Sequence, residues 1–147
     1  SEKLVPQKLA FHPSGRAAYL LTEAATVLGF AFEPTSGSLS ALSFGNADTR
    51  PAEVKKSAGI DLVAGPRALY ALRSGHDGFA VIAVDPESGE LGAVSHEWPR
   101  AQRPRALALD ASGAWLAIAY AGSSQVVLFG LDPKTGAVTS SAELTVK

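Results

Sequence analysis

The chain contains neither cysteine nor methionine, carries little charge and holds no long uninterrupted apolar run. Without cysteine there is no disulfide framework, no zinc site with thiolate ligands and no thiol nucleophile. Without methionine, Ser1 is not expected to be a translational start, and sequence ahead of it is expected to have been removed. Charged and turn-forming residues break every apolar stretch well before the roughly 18–20 residues of a helical membrane span, and Ser1-Glu2-Lys3 does not open a signal peptide. We therefore expect a soluble, cytoplasmic chain with no membrane partner. Charged residues make up only 18% of the chain, with 13 Lys+Arg against 14 Asp+Glu and a net charge of −1. That balance lacks the basic footprint of a protein that neutralises many phosphates, so nucleic acid is not expected as a partner.

What is present is a sizeable apolar fraction, 46% over 147 residues, enough for a globular core without staples. A repeat organises it. Glu33-Pro34-Thr35-Ser36-Gly37-Ser38-Leu39, Asp85-Pro86-Glu87-Ser88-Gly89-Glu90-Leu91 and Asp132-Pro133-Lys134-Thr135-Gly136-Ala137-Val138 match one another, with prolines 52 and 47 positions apart. Each reads as a hairpin turn. The acid accepts a backbone N–H, Pro pre-sets φ, and Gly supplies a positive φ where the chain re-enters a strand. A second turn precedes each of these units, at His12-Pro13-Ser14-Gly15, more loosely at Gly65-Pro66-Arg67, and at Asp110-Ala111-Ser112-Gly113.

The segments between the turns are rich in β-branched and aromatic residues, and none has helical periodicity over 11 or more positions. The pattern predicts strands over 8–11, 17–22, 26–32 and 39–44, then 58–63, 68–73, 78–84 and 91–96, then 105–110, 115–120, 124–131 and 138–144. The fold class is all-β: a single propeller segment over 1–147, with four-stranded antiparallel blades at approximately 5–46, 55–98 and 102–146. Propellers close with about four to eight blades, and an arc of three leaves apolar faces and strand edges in water. Completion of the ring by another copy or by another chain is therefore expected.

Three stretches carry a resemblance. Phe11-His12-Pro13-Ser14-Gly15-Arg16-Ala17-Ala18-Tyr19 with Thr22-Glu23, Leu69-Tyr70-Ala71-Leu72-Arg73-Ser74-Gly75-His76-Asp77, and Pro104-Arg105-Ala106-Leu107-Ala108-Leu109-Asp110 follow one another at matching spacing. Together they resemble the C-terminal three blades of the lactonase family of seven-bladed β-propellers, which takes in 6-phosphogluconolactonase and carboxymuconate-cyclising enzymes. The resemblance implies a hydrolase that opens a sugar lactone such as 6-phosphogluconolactone. Glu23, Gly75, His76, Asp77 and Arg105 match the family pattern. Pro6-Gln7-Lys8 stands where that pattern has Pro-Arg-His, Thr22 and Tyr120 stand at asparagine positions, and Arg73-Ser74 replaces Asn-Arg. These replacements support an alternative, a catalytically degenerate propeller module retained for ligand binding or protein assembly.

In a four-stranded blade, the loops joining strands two and three share a rim with the loops joining consecutive blades. That rim collects Glu23, Arg73, His76 and Asp77, with Lys55, Lys56, Arg100, Arg103 and Arg105, and is more basic than the net charge implies. It suits an anionic small molecule, a lactone or a sugar acid. Lactone opening needs a base to activate water and fixed donors for the developing oxyanion. Glu23, His76 and Arg105 are the candidate catalytic residues, with Arg73, Asp77, Arg100 and Arg103 as candidate substrate-binding residues. A solvated loop explains the arginines equally well, and Trp98, Trp115 and Tyr120 read as packing residues. The histidines at 12, 76 and 96 lack metal-ligand spacing, His12 reads as structural, and no nucleotide loop or serine elbow occurs, so no metal or cofactor is expected.

Overall fold

The computed structural model describes residues 4–46, 58–75 and 78–146. Every element among them is a strand, and the twelve strands form three four-stranded antiparallel sheets, each in sequential order. Blade 1 comprises β1 (Pro6–Phe11), β2 (Ala17–Thr22), β3 (Thr26–Glu33) and β4 (Ser38–Asn46). Blade 2 comprises β5 (Ala58–Ala64), β6 (Ala68–Ser74), β7 (Phe79–Val84) and β8 (Leu91–Glu97). Blade 3 comprises β9 (Pro104–Leu109), β10 (Trp115–Tyr120), β11 (Gln125–Leu131) and β12 (Val138–Thr145). The fold is the all-β propeller arc expected, with each strand within two residues of its predicted limits. The Lys55-Lys56 pair lies outside the described residues.

The turns that delimit the strands work as their residue types dictate. Asp85 Oδ1 accepts the N–H groups of Glu87 and Ser88 at 2.8 and 2.9 Å, and Asp132 Oδ1 accepts that of Lys134 at 2.7 Å. Glu33 Oε1 accepts the N–H of Thr35 at 3.0 Å. Gly37, Gly89 and Gly136 close the three copies at φ of 72°, 77° and 75°, the region that side chains disfavour. The hydrogen bonds hold the Glu33 and Asp85 carboxyls below the usual carboxylate range, with those of Thr35 the main cause for Glu33 and that of the Ser88 N–H for Asp85.

Two apolar cores lie between the blades. Tyr19, Leu21 and Val27 of blade 1 pack on Leu62, Leu69, Ala71 and Ile82 of blade 2. The opposite face of blade 2, with Tyr70, Leu72 and Phe79, packs on Leu116, Ile118, Val127 and Phe129 of blade 3. One polar contact recurs at both junctions. The Tyr19 hydroxyl donates to the Gly89 carbonyl at 2.7 Å, and the Tyr70 hydroxyl to the Gly136 carbonyl at 2.6 Å. Burial pushes both phenols up to about 12. His12, read as structural, is buried and donates from Nε2 to the Pro66 carbonyl at 3.2 Å, joining blade 1 to blade 2.

The outward faces of the end blades remain exposed. On blade 1, Leu9, Leu20, Leu28 and Phe44 form one cross-strand row, and Leu9 and Phe44 are 49% and 66% exposed. On blade 3 the corresponding face carries Trp115, Ala117, Leu128 and Leu144. This corrects the reading of the aromatic residues. Tyr120 is buried, but Trp115 is exposed on that outward face and Trp98 is exposed in the segment after β8.

Candidate functional site

The innermost strands β1, β5 and β9 lie side by side. Each carries a β-bulge near its start. The register skips Gln7 between Pro6 and Lys8, Ile60 between Gly59 and Asp61, and Arg105 between Pro104 and Ala106. A bulge leaves its extra residue outside the ladder and re-aims it. Arg105 is thereby displayed, exposed, at the rim end of β9.

The rim loops are tied to these strand starts by backbone hydrogen bonds. The Glu23 N–H donates to the Val5 carbonyl at 2.9 Å, and the Glu23 carbonyl accepts the Gly59 N–H at 3.0 Å. The backbone of Glu23 is thus clamped between blades 1 and 2 while its side chain is exposed. Blade 3 repeats the pattern, with the Ala121 N–H donating to the Arg103 carbonyl at 2.9 Å and the Gly122 N–H to the Gln102 carbonyl at 3.0 Å. Arg103 adopts a φ of 56°, unusual for a residue with a side chain, at the point where its carbonyl meets this loop. Its own side chain and that of Arg100 are exposed.

Strand direction alone puts Glu23, Glu97, Arg100, Arg103 and Arg105 on one rim. Among the described residues, the opposite rim carries Glu33, Asp85, Glu87, Glu90, Asp110 and Asp132 against Arg16, Arg67 and Lys134. An opening of about 310 Å³ lies beside Arg105, walled by Tyr120, Ser124, Gln125 and Val126 and continuous with the outward face of blade 3.

Arg73, expected among the exposed donors, is only 1% exposed. It lies opposite Gly59 on the side of β6 that faces blade 1. Blades 1 and 2 approach closely there, since a Cβ on Gly59 would stand 2.3 Å from the Thr22 carbonyl oxygen. That approach closes the surface over the arginine. His76 and Asp77 lie outside the described residues. Among the described residues no cluster of three or more His, Asp or Glu side chains is arranged to hold a metal ion.

The sequence reading missed Asp61. Its Oδ2 accepts the Leu107 N–H of blade 3 at 2.9 Å, and its Oδ1 accepts the Leu62 N–H at 2.9 Å. Lys8 Nζ of blade 1 pairs with Oδ1 at 3.2 Å. One carboxylate therefore joins all three innermost strands. The available signal was a lone acid within the apolar run Ile60-Asp61-Leu62-Val63.

Similarity to known proteins agrees with this architecture. The family described as "Lactonase, 7-bladed beta-propeller" matches residues 4–147. The 6-phosphogluconolactonase of Bacillus subtilis is 29% identical over 136 residues, covering 91% of this chain and 39% of the relative. That of Formosa agariphila is 29% identical over 133 residues, covering 89% and 37%. The solved structure of a Pseudomonas aeruginosa periplasmic gluconolactonase superposes with a TM-score of 0.80 at 30% identity, over 96% of this chain and 40% of that one. A Bacteroides uniformis structure provisionally assigned as a 6-phosphogluconolactonase gives 0.84 at 28% identity, over 99% and 42%. The chain spans about two-fifths of the length of the relatives it matches. With blades, turns and family match in agreement over residues 4–147, the chain belongs to the seven-bladed β-propeller lactonase family.

Proposed function

We propose that the chain supplies part of the catalytic rim of a lactonase that opens an anionic sugar lactone, of which 6-phosphogluconolactone is the type. The observation that carries this reading is the clamped backbone of Glu23 beneath an exposed carboxylate, on the rim that also presents Arg103 and the bulged Arg105. The named activities of the Bacillus subtilis and Formosa agariphila relatives support it.

In this scheme the Glu23 carboxylate takes a proton from water as the water oxygen adds to the lactone carbonyl carbon. Negative charge builds on the carbonyl oxygen, opposite the Arg105 guanidinium. Collapse of the tetrahedral adduct breaks the ring C–O bond, and the departing oxygen takes up the proton held by Glu23. The product is the open hydroxy acid, with no net change in the enzyme. Arg100 and Arg103 hold the anionic end of the substrate. His76 and Asp77 remain proposed members of the same rim, His76 as a second candidate base and Asp77 as a substrate contact. Further blades complete the funnel around the substrate.

The test is the rate of acid release from 6-phosphogluconolactone, corrected for spontaneous hydrolysis, with the ring completed. Glu23→Gln keeps the size and the clamped backbone but removes the base. A loss of about 10²-fold or more in kcat is expected, with the circular dichroism spectrum unchanged. An unaltered rate would remove Glu23 from the mechanism, and no turnover in any assembled state would favour the degenerate, binding-only module.

A further inference from the structure

Asp61 and Lys8 divide their work unequally. Both carboxylate oxygens of Asp61 are occupied by backbone, Oδ1 by the Leu62 N–H and Oδ2 by the Leu107 N–H, each at 2.9 Å, and its side chain is only 12% exposed. A ligand has little of this carboxylate to reach. The Lys8 ammonium stands 3.2 Å from Oδ1 on a side chain that is 49% exposed. An ammonium carries three donors, so one turned to Asp61 leaves two for the solvent side. Lys8 is therefore a half-exposed donor whose rotamer freedom is already restricted before any ligand arrives.

The neighbouring charge decides what such a donor suits. Asp61 lies against the ammonium and cancels much of its field at a distance, which makes the pair a poor attractor of anions. Its two outward N–H groups keep their hydrogen-bonding strength for a neutral oxygen at contact range. The arginines differ. Among the described residues, neither Arg103 nor Arg105 is paired with a carboxylate. The rim thus holds two kinds of donor, cations open to an anion and one internally neutralised ammonium fit for hydroxyls.

Lys8 lies just below the candidate base. The Glu23 N–H binds the Val5 carbonyl and Pro6 pairs with Thr22, while Lys8 is two residues further along the innermost strand β1, about 7 Å from that level. Lys8, Asp61 and Ala106 each follow the bulged residue of their own strand. On β9 that residue is exposed and brings only a methyl group, which leaves room beneath Arg105. A sugar ring whose carbonyl lies between Glu23 and Arg105 can turn a hydroxyl down toward Lys8.

We propose that Lys8, held in place by Asp61, is a specificity-determining donor to sugar hydroxyls, so that this rim selects polyhydroxylated acids and lactones over acids of equal charge that lack hydroxyls. The inference rests on the reading of this rim as the sugar-lactone end and names what that end recognises besides the anionic group.

The experiment compares two acids of the same charge and carbon number, D-gluconate with five hydroxyls and hexanoate with none. Each is titrated into the isotopically labelled chain and into Lys8→Met, which keeps the length of the stem, with circular dichroism verifying the fold. The original chain should bind gluconate at least about tenfold more tightly than hexanoate, and only gluconate should shift the Lys8 methylene beside the ammonium. Lys8→Met should bring the two acids to within about threefold of each other by weakening gluconate alone. An original chain without the preference overturns the proposal. So does a variant that weakens both acids alike, since Lys8 would then act as a bare cation. Turnover of 6-phosphogluconolactone is followed on the same samples. A preference that persists without turnover would overturn the lactonase reading while supporting this one, and turnover without the preference would overturn this one alone.

Discussion

Asp61 is a charged residue buried where three strands meet, and its partners decide its worth. An N–H to carboxylate bond is stronger than a neutral one, and losing the acceptor leaves the Leu107 N–H unpaired in the interior. The Lys8 partner is different, because its side chain is 49% exposed and solvent screens the pair. Asp61→Ala should therefore cost about 2–3 kcal/mol of stability, while Lys8→Ala should cost less than about 1 kcal/mol. Urea denaturation of the two variants checks this, and equal losses would show that the ion pair, rather than the bond across blades, is what matters. Neither role was legible from sequence. Lys8 appeared there only as a departure from a family pattern, and Asp61 only as one residue inside a strand.

Most of the element structure was legible, because turn chemistry is local. The acid, proline and glycine of each hairpin act on their own backbone, so the three copies of this motif set where each third strand ends and each fourth begins. The bulges were not legible. Which residue is skipped depends on pairing with a distant strand, and the apolar runs of β1, β5 and β9 read equally well in either register. The site was correspondingly half legible. Glu23 and the exposed arginines follow from strand direction, whereas the burial of Arg73 follows from the approach of blade 1 to Gly59, a tertiary fact.

The three glycine turns offer a test at this same scale. Gly→Ala at 37, 89 or 136 forces a side chain into positive φ at about 1–2 kcal/mol. At 89 and 136 the new methyl also meets the neighbouring blade, whereas at 37 it meets nothing among the described residues. Thermal denaturation should rank Gly37→Ala as the mildest of the three by at least about 1 kcal/mol. Three equal losses would mean that the turns do not pack on the neighbouring blades as described.

On the scale of the whole molecule, near-zero net charge conceals, among the described residues, an acidic rim opposite one that gathers three exposed arginines. Four acids of the opposite rim, Glu33, Asp85, Asp110 and Asp132, accept hydrogen bonds within their own turns, and the carboxyl of Asp110 is held below its ordinary value chiefly by the Ser112 hydroxyl. The arginines of the candidate rim, Arg100, Arg103 and Arg105, are exposed on a loop and at a bulge. An anion should therefore be drawn to one end of the arc, and the attraction should weaken with salt. Composition could not reveal this, since it counts charges without placing them.

The claim that this rim is the functional end is tested most directly by titrating 6-phosphogluconate into the isotopically labelled chain at low salt and following backbone amide shifts. The account predicts changes gathered at residues 22–26, 103–105 and 120–125, fading as salt is added. Changes confined to the turns at 33–38, 85–91 and 110–115, or no change at the candidate rim at low salt, would contradict it.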